Sequence, residues 1–188
     1  GPHVQAIEAQ AYYNYVDHVM DNYSLRAFAP SMTMPFRSVS NPDRETTGGR
    51  FTADLAFGER ITATVGVDLQ ENRHSLRSTM NESMMPYEKM KRAEDGRFRN
   101  AGVFGELTLA AGPSGRVITG LRIDDWYAQD SREMLRVGMT AVPNPTADEE
   151  RNATLFGGFG RYEHDLADGP FTVFAGLGHV ERFPDYWE

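Results

Sequence analysis

Alternation with a period of two dominates the chain. From Val4 to Asp17, Ile7, Ala9, Ala11, Tyr13 and Tyr15 fall on one face, and Glu8, Gln10, Tyr12 and Asn14 on the other. Such a pattern predicts a strand with one apolar and one polar side. It recurs in Thr46–Phe57, with Phe51, Ala53, Leu55 and Phe57 against Arg50, Thr52 and Asp54. It is cleanest in Arg60–Asn72, where Ile61, Ala63, Val65, Val67 and Leu69 oppose Thr62, Thr64, Gly66, Asp68 and Gln70. Four further strands follow at Asn100–Ala111, Arg116–Gln129, Arg151–Asp165 and Phe171–Arg182. The sixth is the least regular, because Phe156 and Phe159 fall on opposite faces.

The connections between these seven strands alternate in length. Gly58-Glu59, Gly112-Pro113-Ser114-Gly115 and Leu166–Pro170, with Asp168-Gly169-Pro170, read as short turns on residue chemistry. The other three are long, reaching to about Glu45, about Arg99 and about Glu150. A soluble antiparallel sandwich also alternates, but three features favour a transmembrane barrel. The strands are about twice the usual globular length of 5 or 6 residues. Charged residues stand mid-strand on the polar face (Glu8, Asp54, Asp68, Glu106, Arg122), as a wet lumen permits. Short turns and long loops segregate to opposite sides, the pattern of outer-membrane barrels with periplasmic turns and extracellular loops. The expected fold is therefore all-β, an antiparallel transmembrane β-barrel. Seven strands do not close one, since bacterial single-chain barrels have even counts. The chain is expected to be an arc of a larger wall, with lipid on its apolar side and two edges unpaired.

Composition narrows the chemistry. The 188 residues carry a net charge of −8, and no basic patch with interleaved aromatics suggests a nucleic-acid partner. Absence of cysteine removes disulfides and thiolate ligands. No apolar run approaches the ~20 residues of a membrane helix. Gly157-Gly158-x-Gly160 has no helix after it to receive a phosphate. Asp124 and Asp125 are adjacent in a strand and face opposite ways, and no Ser/His/Asp set has a supporting motif, so no enzyme is expected.

The nine methionines are the anomaly. Met20, Met32, Met34, Met80, Met84, Met85, Met90, Met134 and Met139 all lie in or beside the long loops. Methionine ordinarily fills cores. For Met80 to Met90, Met134 and Met139, packing of folded loops is the expected use. His18-x-Met20 is different, because in an extended segment residues i and i+2 share a face and reach one ion. Imidazole beside thioether is a soft donor pair that suits copper, Cu(I) above all, better than hard cations. Met32-x-Met34 offers a secondary pair. His74 is expected to be solvated, His164 and His179 to sit near strand ends, and His3 beside an expression scar.

Two stretches carry a family resemblance. YNYVDHVMDNYSLR (Tyr13 to Arg26) followed by PSMTMPFRSVSNPDRETTGGR (Pro30 to Arg50) resembles the TonB-dependent copper receptors of Gram-negative outer membranes. GHVERFPDYWE (Gly178 to Glu188) is similar to a segment found more widely among TonB-dependent receptors, where an Arg-x-Pro element follows a barrel strand. The resemblance implies that residues 1–188 are part of a barrel of about 22 strands, plugged in its lumen. Its cargo would be a copper ion, its partners the TonB complex, acting through a plug, and outer-membrane lipid. In that family a His-x-Met from the barrel joins a Cys-x-x-x-Met from the plug. His18 and Met20 match the first pair; the second, the TonB box and the closing strand are not in this sequence. Half a binding site and no transport by the segment alone are therefore expected. A receptor for a siderophore or other metal chelate, and a non-transporting structural barrel, are the alternatives.

Overall fold

The computed structural model describes residues 3–137, 140–166 and 170–183. Seven long strands form one antiparallel sheet in which each strand pairs with the next along the chain. They are β1 (His3–Asp17), β3 (Val39–Phe57), β4 (Ile61–Thr79), β5 (Ala93–Ala110), β6 (Gly115–Asp130), β9 (Glu150–Asp165) and β10 (Thr172–Val180). The two-residue strand β2 (Met20–Asp21) continues the line of β1 against β3. A small hairpin of β7 (Met134–Val137) and β8 (Thr140–Pro143) stands in the third long loop, and the second long loop contains one 3₁₀ turn at Tyr87–Lys89. The sheet is open, with β1 and β10 at its edges. The partial barrel wall is thus present as expected. Met139, Asp168 and Gly169 lie outside the described residues, as do Pro184 to Glu188.

Registers align the alternating positions into continuous rows. Ala53, Val65, Gly105 and Leu121 are cross-strand neighbours, and so are Phe51, Val67, Val103 and Ile123. Directly opposed residues share a face, so the apolar sides merge into one belt. The belt is bare: Leu69 is 61% exposed and Leu121 73%. Only Val39, Ala56, Phe98 and Ile118 are buried apolar residues among those described. Among the described residues neither a second sheet nor a helix covers Ile61, Val65 and Leu69, which is what a lipid-facing surface requires and a sandwich forbids.

On the opposite face, glycines receive rings from the neighbouring strand. Gly48 faces Tyr12, Gly66 faces Phe104, and Gly120 faces Phe159, each directly across the ladder. A Cβ at any of the three would collide with the facing ring. Phe159 thus points inward to cover Gly120, while Phe156 lies in the outer row with Ile123; this explains the irregular pattern of that strand. Charges on this face pair with one another. Arg122 grips Asp68 through two bonds of 2.7 and 2.8 Å and also bonds Asp124, and its guanidinium lies 5.7 Å from the Phe104 ring centroid. After β10, Phe183 reaches back across β9 to stack on Trp126, with centroids 5.8 Å apart.

The strands run further toward the long loops than the alternation suggests. β3 starts at Val39 instead of Thr46, β4 ends at Thr79 instead of Asn72, and β5 starts at Ala93 instead of Asn100. At 19 residues and ~3.3 Å each, β3 and β4 span about 60 Å, well beyond the ~25 Å apolar band of a barrel. Above that band both faces are wet or loop-covered, and the selection for alternation disappears. On the turn side, Gly58 (φ +69°) and Gly112 (φ +84°) adopt the left-handed conformation that closes β3–β4 and β5–β6.

His74 departs from expectation. It is 8% exposed, and its Nδ1 is paired with the Asp95 carboxylate. Asp95 is the residue at which the β4–β5 register shifts, between His74↔Gly96 and Ser75↔Glu94. The bulge turns its side chain toward the histidine, a feature with no local sequence signature.

Candidate metal site

The ladder between β1 and β3 pairs Asp17 with Asp43; after a two-residue gap, Met20 pairs with Ser40 and Asp21 with Val39. Paired residue numbers sum to the same value on both sides of the gap, so no residue is inserted. The gap itself is bridged by a bond from His18 N to Pro42 O of 3.0 Å. Parity therefore carries through, and His18 and Met20 lie on the face of Tyr12, Asn14 and Val16, opposite Tyr13 and Tyr15. The two donors stand on the lumenal side of the wall, beyond the apolar belt, and both are exposed.

Directly after Met20 the chain turns. Asp21 Oδ1 accepts from Tyr23 N at 2.8 Å and from Ser24 N at 2.6 Å. These two backbone donors hold the Asp21 carboxyl below its ordinary pKa. The loop that follows is closed at its base by Asn22, whose amide donates to Phe36 O (3.3 Å) and accepts from Ser38 N (3.0 Å). Its far end is a tight turn in which Ser31 N donates to Met34 O and Met34 N to Ser31 Oγ. Met32, fully exposed, occupies the tip. Met32 and Met34 thus belong to the loop beyond the Asn22 closure, and His18 and Met20 to the ladder.

The second long loop is tied to the first. Glu82 N donates to Arg37 O at 2.8 Å, and Arg37 lies over the Tyr23 ring at 5.2 Å. Arg77 lies over Tyr87 at 5.1 Å and donates to Glu88 O. One backbone bond thus joins the two loops, and an arginine–aromatic contact braces each of them. Met80, Met84, Met85 and Met134 are exposed, contrary to the expectation that they fill loop interiors; Met90 is half-buried. His164 bonds Tyr162 at the turn end of β9, and His179 lies 3.5 Å from Glu181. Among the described residues no group of three or more His, Asp and Glu is arranged to hold a metal. As expected, Asp124 and Asp125 diverge, the first bound to Arg122 inside and the second in the outer row with Leu69 and Ala101.

What sequence reading missed is the support behind the donors. Asn41, with no exposed surface, joins Asp17, His18, Arg77 and Arg92. Tyr15 Oη donates to Asp43 at 2.9 Å, and Arg92 pairs with Asp43 at 3.0 Å. Asn41-Pro42-Asp43 reads as a turn on residue chemistry, and the one usable signal was Pro42, a strand residue with no N–H to give.

Residues 4–188 match the family described as TonB dependent receptor-like, beta-barrel. Among solved structures, the chain is similar to one described as copper transporter OprC, with 46% sequence identity and a TM-score of 0.90. That match covers 98% of this chain and 29% of the other. Curated proteins give no match.

Proposed function

The chain belongs to the TonB-dependent receptor barrel family, and from that premise we propose that it is a wall segment of a receptor for copper uptake across the Gram-negative outer membrane. His18 and Met20 supply half of the copper site at its outer mouth. The observation that carries the reading is the unbroken register from Asp17 to Asp21, which sets imidazole and thioether two residues apart on one lumenal face. Similarity over nearly the whole chain to a protein described as a copper transporter supports the same cargo. The chain spans under a third of that protein, and the remaining donors come from outside these residues.

In this reading the outer opening meets the ion first. The His18 ring nitrogen and the Met20 sulfur take it from solvent as soft donors, favouring Cu(I) over Mg(II), Ca(II) or Mn(II) by their polarisability and lack of charge. Two ligands leave the bond set incomplete, so capture is finished by donors brought from the lumen. Release inward is driven through the TonB complex acting on a plug. Met32, at the tip of its turn, and Met34 serve as outlying sites that pass copper to the first pair.

Copper uptake and Cu(I) affinity of the full receptor carrying His18→Ala and Met20→Ala test this. Each substitution is expected to weaken binding by at least about tenfold, as loss of one donor from a small soft set does. Unchanged affinity in both variants overturns the assignment. Competition by ferric chelates against copper distinguishes the chelate-receptor alternative, which predicts that the chelate and not the ion is bound.

A further inference from the structure

A proline within a paired strand leaves the ladder one donor short. Pro42 stands at such a point in β3, opposite His18. In a hydrogen-bonded antiparallel pair the two residues exchange both N–H···O bonds. His18 N donates to Pro42 O at 3.0 Å, but Pro42 has no N–H to return, and the His18 carbonyl would be left without its partner.

The neighbouring side chain fills the vacancy. Asn41 Nδ2 donates to His18 O at 3.1 Å and, with its second hydrogen, to Asp17 Oδ1. Its Oδ1 accepts from Arg77 Nε at 2.7 Å and Arg92 Nη2 at 2.8 Å. Arg92 Nη1 also donates to the Asn41 backbone oxygen at 3.0 Å. Two donors and two acceptor sites are the whole capacity of a carboxamide, and here all are used, so the group has no alternative rotation. By parity Asn41 lies on the face opposite His18 and Met20, behind the donors and clear of any ion they hold.

We propose that Asn41 is a positioning residue for the His18–Met20 pair: its side-chain amide replaces the backbone donor that Pro42 lacks and fixes the His18 peptide, hence the spacing of imidazole and thioether. The proposal rests on the copper reading above. Without the Asn41 amide, the ladder on either side of the gap still holds Asp17 and Met20, but the His18–Val19 peptide turns freely and the two donors lose their common geometry.

The test separates this role from simple support of the rim. In the full receptor, Asn41→Asp keeps the oxygen that Arg77 and Arg92 grip but removes the donor to His18. Asn41→Ala removes both. Pro42→Ala restores a backbone N–H at the vacant position and is combined with each. Cu(I) affinity is read by competition with a chromophoric chelator, and hydrogen exchange is followed in peptides spanning Asp17 to Asp21. Asn41→Asp and Asn41→Ala are expected to weaken copper binding about 10- to 100-fold, the usual effect of removing a group that orients a ligand, and to speed exchange at His18 and Val19. Adding Pro42→Ala is expected to recover most of both losses, although it rebuilds no contact to Arg77 or Arg92. If Asn41→Asp binds copper like the unmodified receptor, or if Pro42→Ala recovers nothing, Asn41 does not position the donors. His18→Ala and Met20→Ala are run alongside. If they leave affinity unchanged, the copper assignment itself fails, whereas their loss of copper with an unaffected Asn41→Asp condemns only the positioning role.

Discussion

Substituting Leu121 by arginine places a charge at the centre of the apolar belt. The belt runs from the Phe57, Ile61, Leu109 and Val117 row to the Gly49, Leu69, Ala101 and Asp125 row. Along one strand, Ile61 to Leu69 or Val117 to Asp125, this is eight residue steps, or about 26 Å at ~3.3 Å each. With strands tilted by ~40°, the height along the membrane normal is about 20 Å, close to the ~25 Å band of outer-membrane barrels. Leu121 is four residues from either end, at mid-depth. A lipid-facing arginine at the midplane costs about 2–4 kcal/mol and near the interface about 0–1 kcal/mol. The expected difference between Leu121→Arg and Val117→Arg is therefore about 2–3 kcal/mol, or roughly 30- to 150-fold in the folding equilibrium. Urea unfolding of the full receptor refolded into phospholipid vesicles, followed by tryptophan fluorescence, measures it. In water, an exposed position such as Leu121 would tolerate arginine within about 0.5 kcal/mol. Equal costs at the two positions, or none at Leu121, would refute the lipid-facing wall.

Two further outcomes test the rim and the inner face. The Asp21 carboxyl is held below its ordinary pKa by the Tyr23 and Ser24 amides, so its contribution to the turn is complete above the unfolded value near 3.8 and is lost as pH falls through the lower folded value. Pepsin cleavage between Asn22 and Leu25, normalised to the unfolded peptide, should stay slow down to about pH 4 and accelerate below it; in Asp21→Asn, whose amide oxygen still accepts, the acid step should vanish, and its persistence would exclude Asp21 as the cause. Gly66→Ala on the inner face drives a methyl into the Phe104 ring and should destabilise by about 1–3 kcal/mol, whereas Gly160→Ala on the outer face meets nothing within 4 Å and should be neutral or slightly stabilising. Equal urea midpoints for the two would show that the rings do not sit over the glycines.

The wall was legible because one apolar and one polar side impose a period of two, as in Ile61 to Leu69. Where both sides are polar or covered by loop, from Val39 to Glu45, from Arg73 to Thr79 and from Ala93 to Arg99, that force is absent, and stretches such as Asn41-Pro42-Asp43 resemble loop. His18-x-Met20 stood out by its donors, but which face it occupies depends on a register that begins at Ala6↔Asp54 and is not encoded locally. The burial of His74 depends on a bulge at Asp95 in another strand, and the support from Arg92 comes from 51 residues beyond Asn41. Long-range pairing decides all three, and neighbouring residues do not foretell it.

X-ray absorption at the copper edge of the Cu(I)-loaded full receptor addresses the central claim without reliance on transport. The unmodified receptor is predicted to show a mixed shell of nitrogen and sulfur; His18→Ala should lose nitrogen scattering and Met20→Ala should lose sulfur scattering. A shell that keeps the same nitrogen and sulfur count in both variants would place the copper elsewhere and contradict the account.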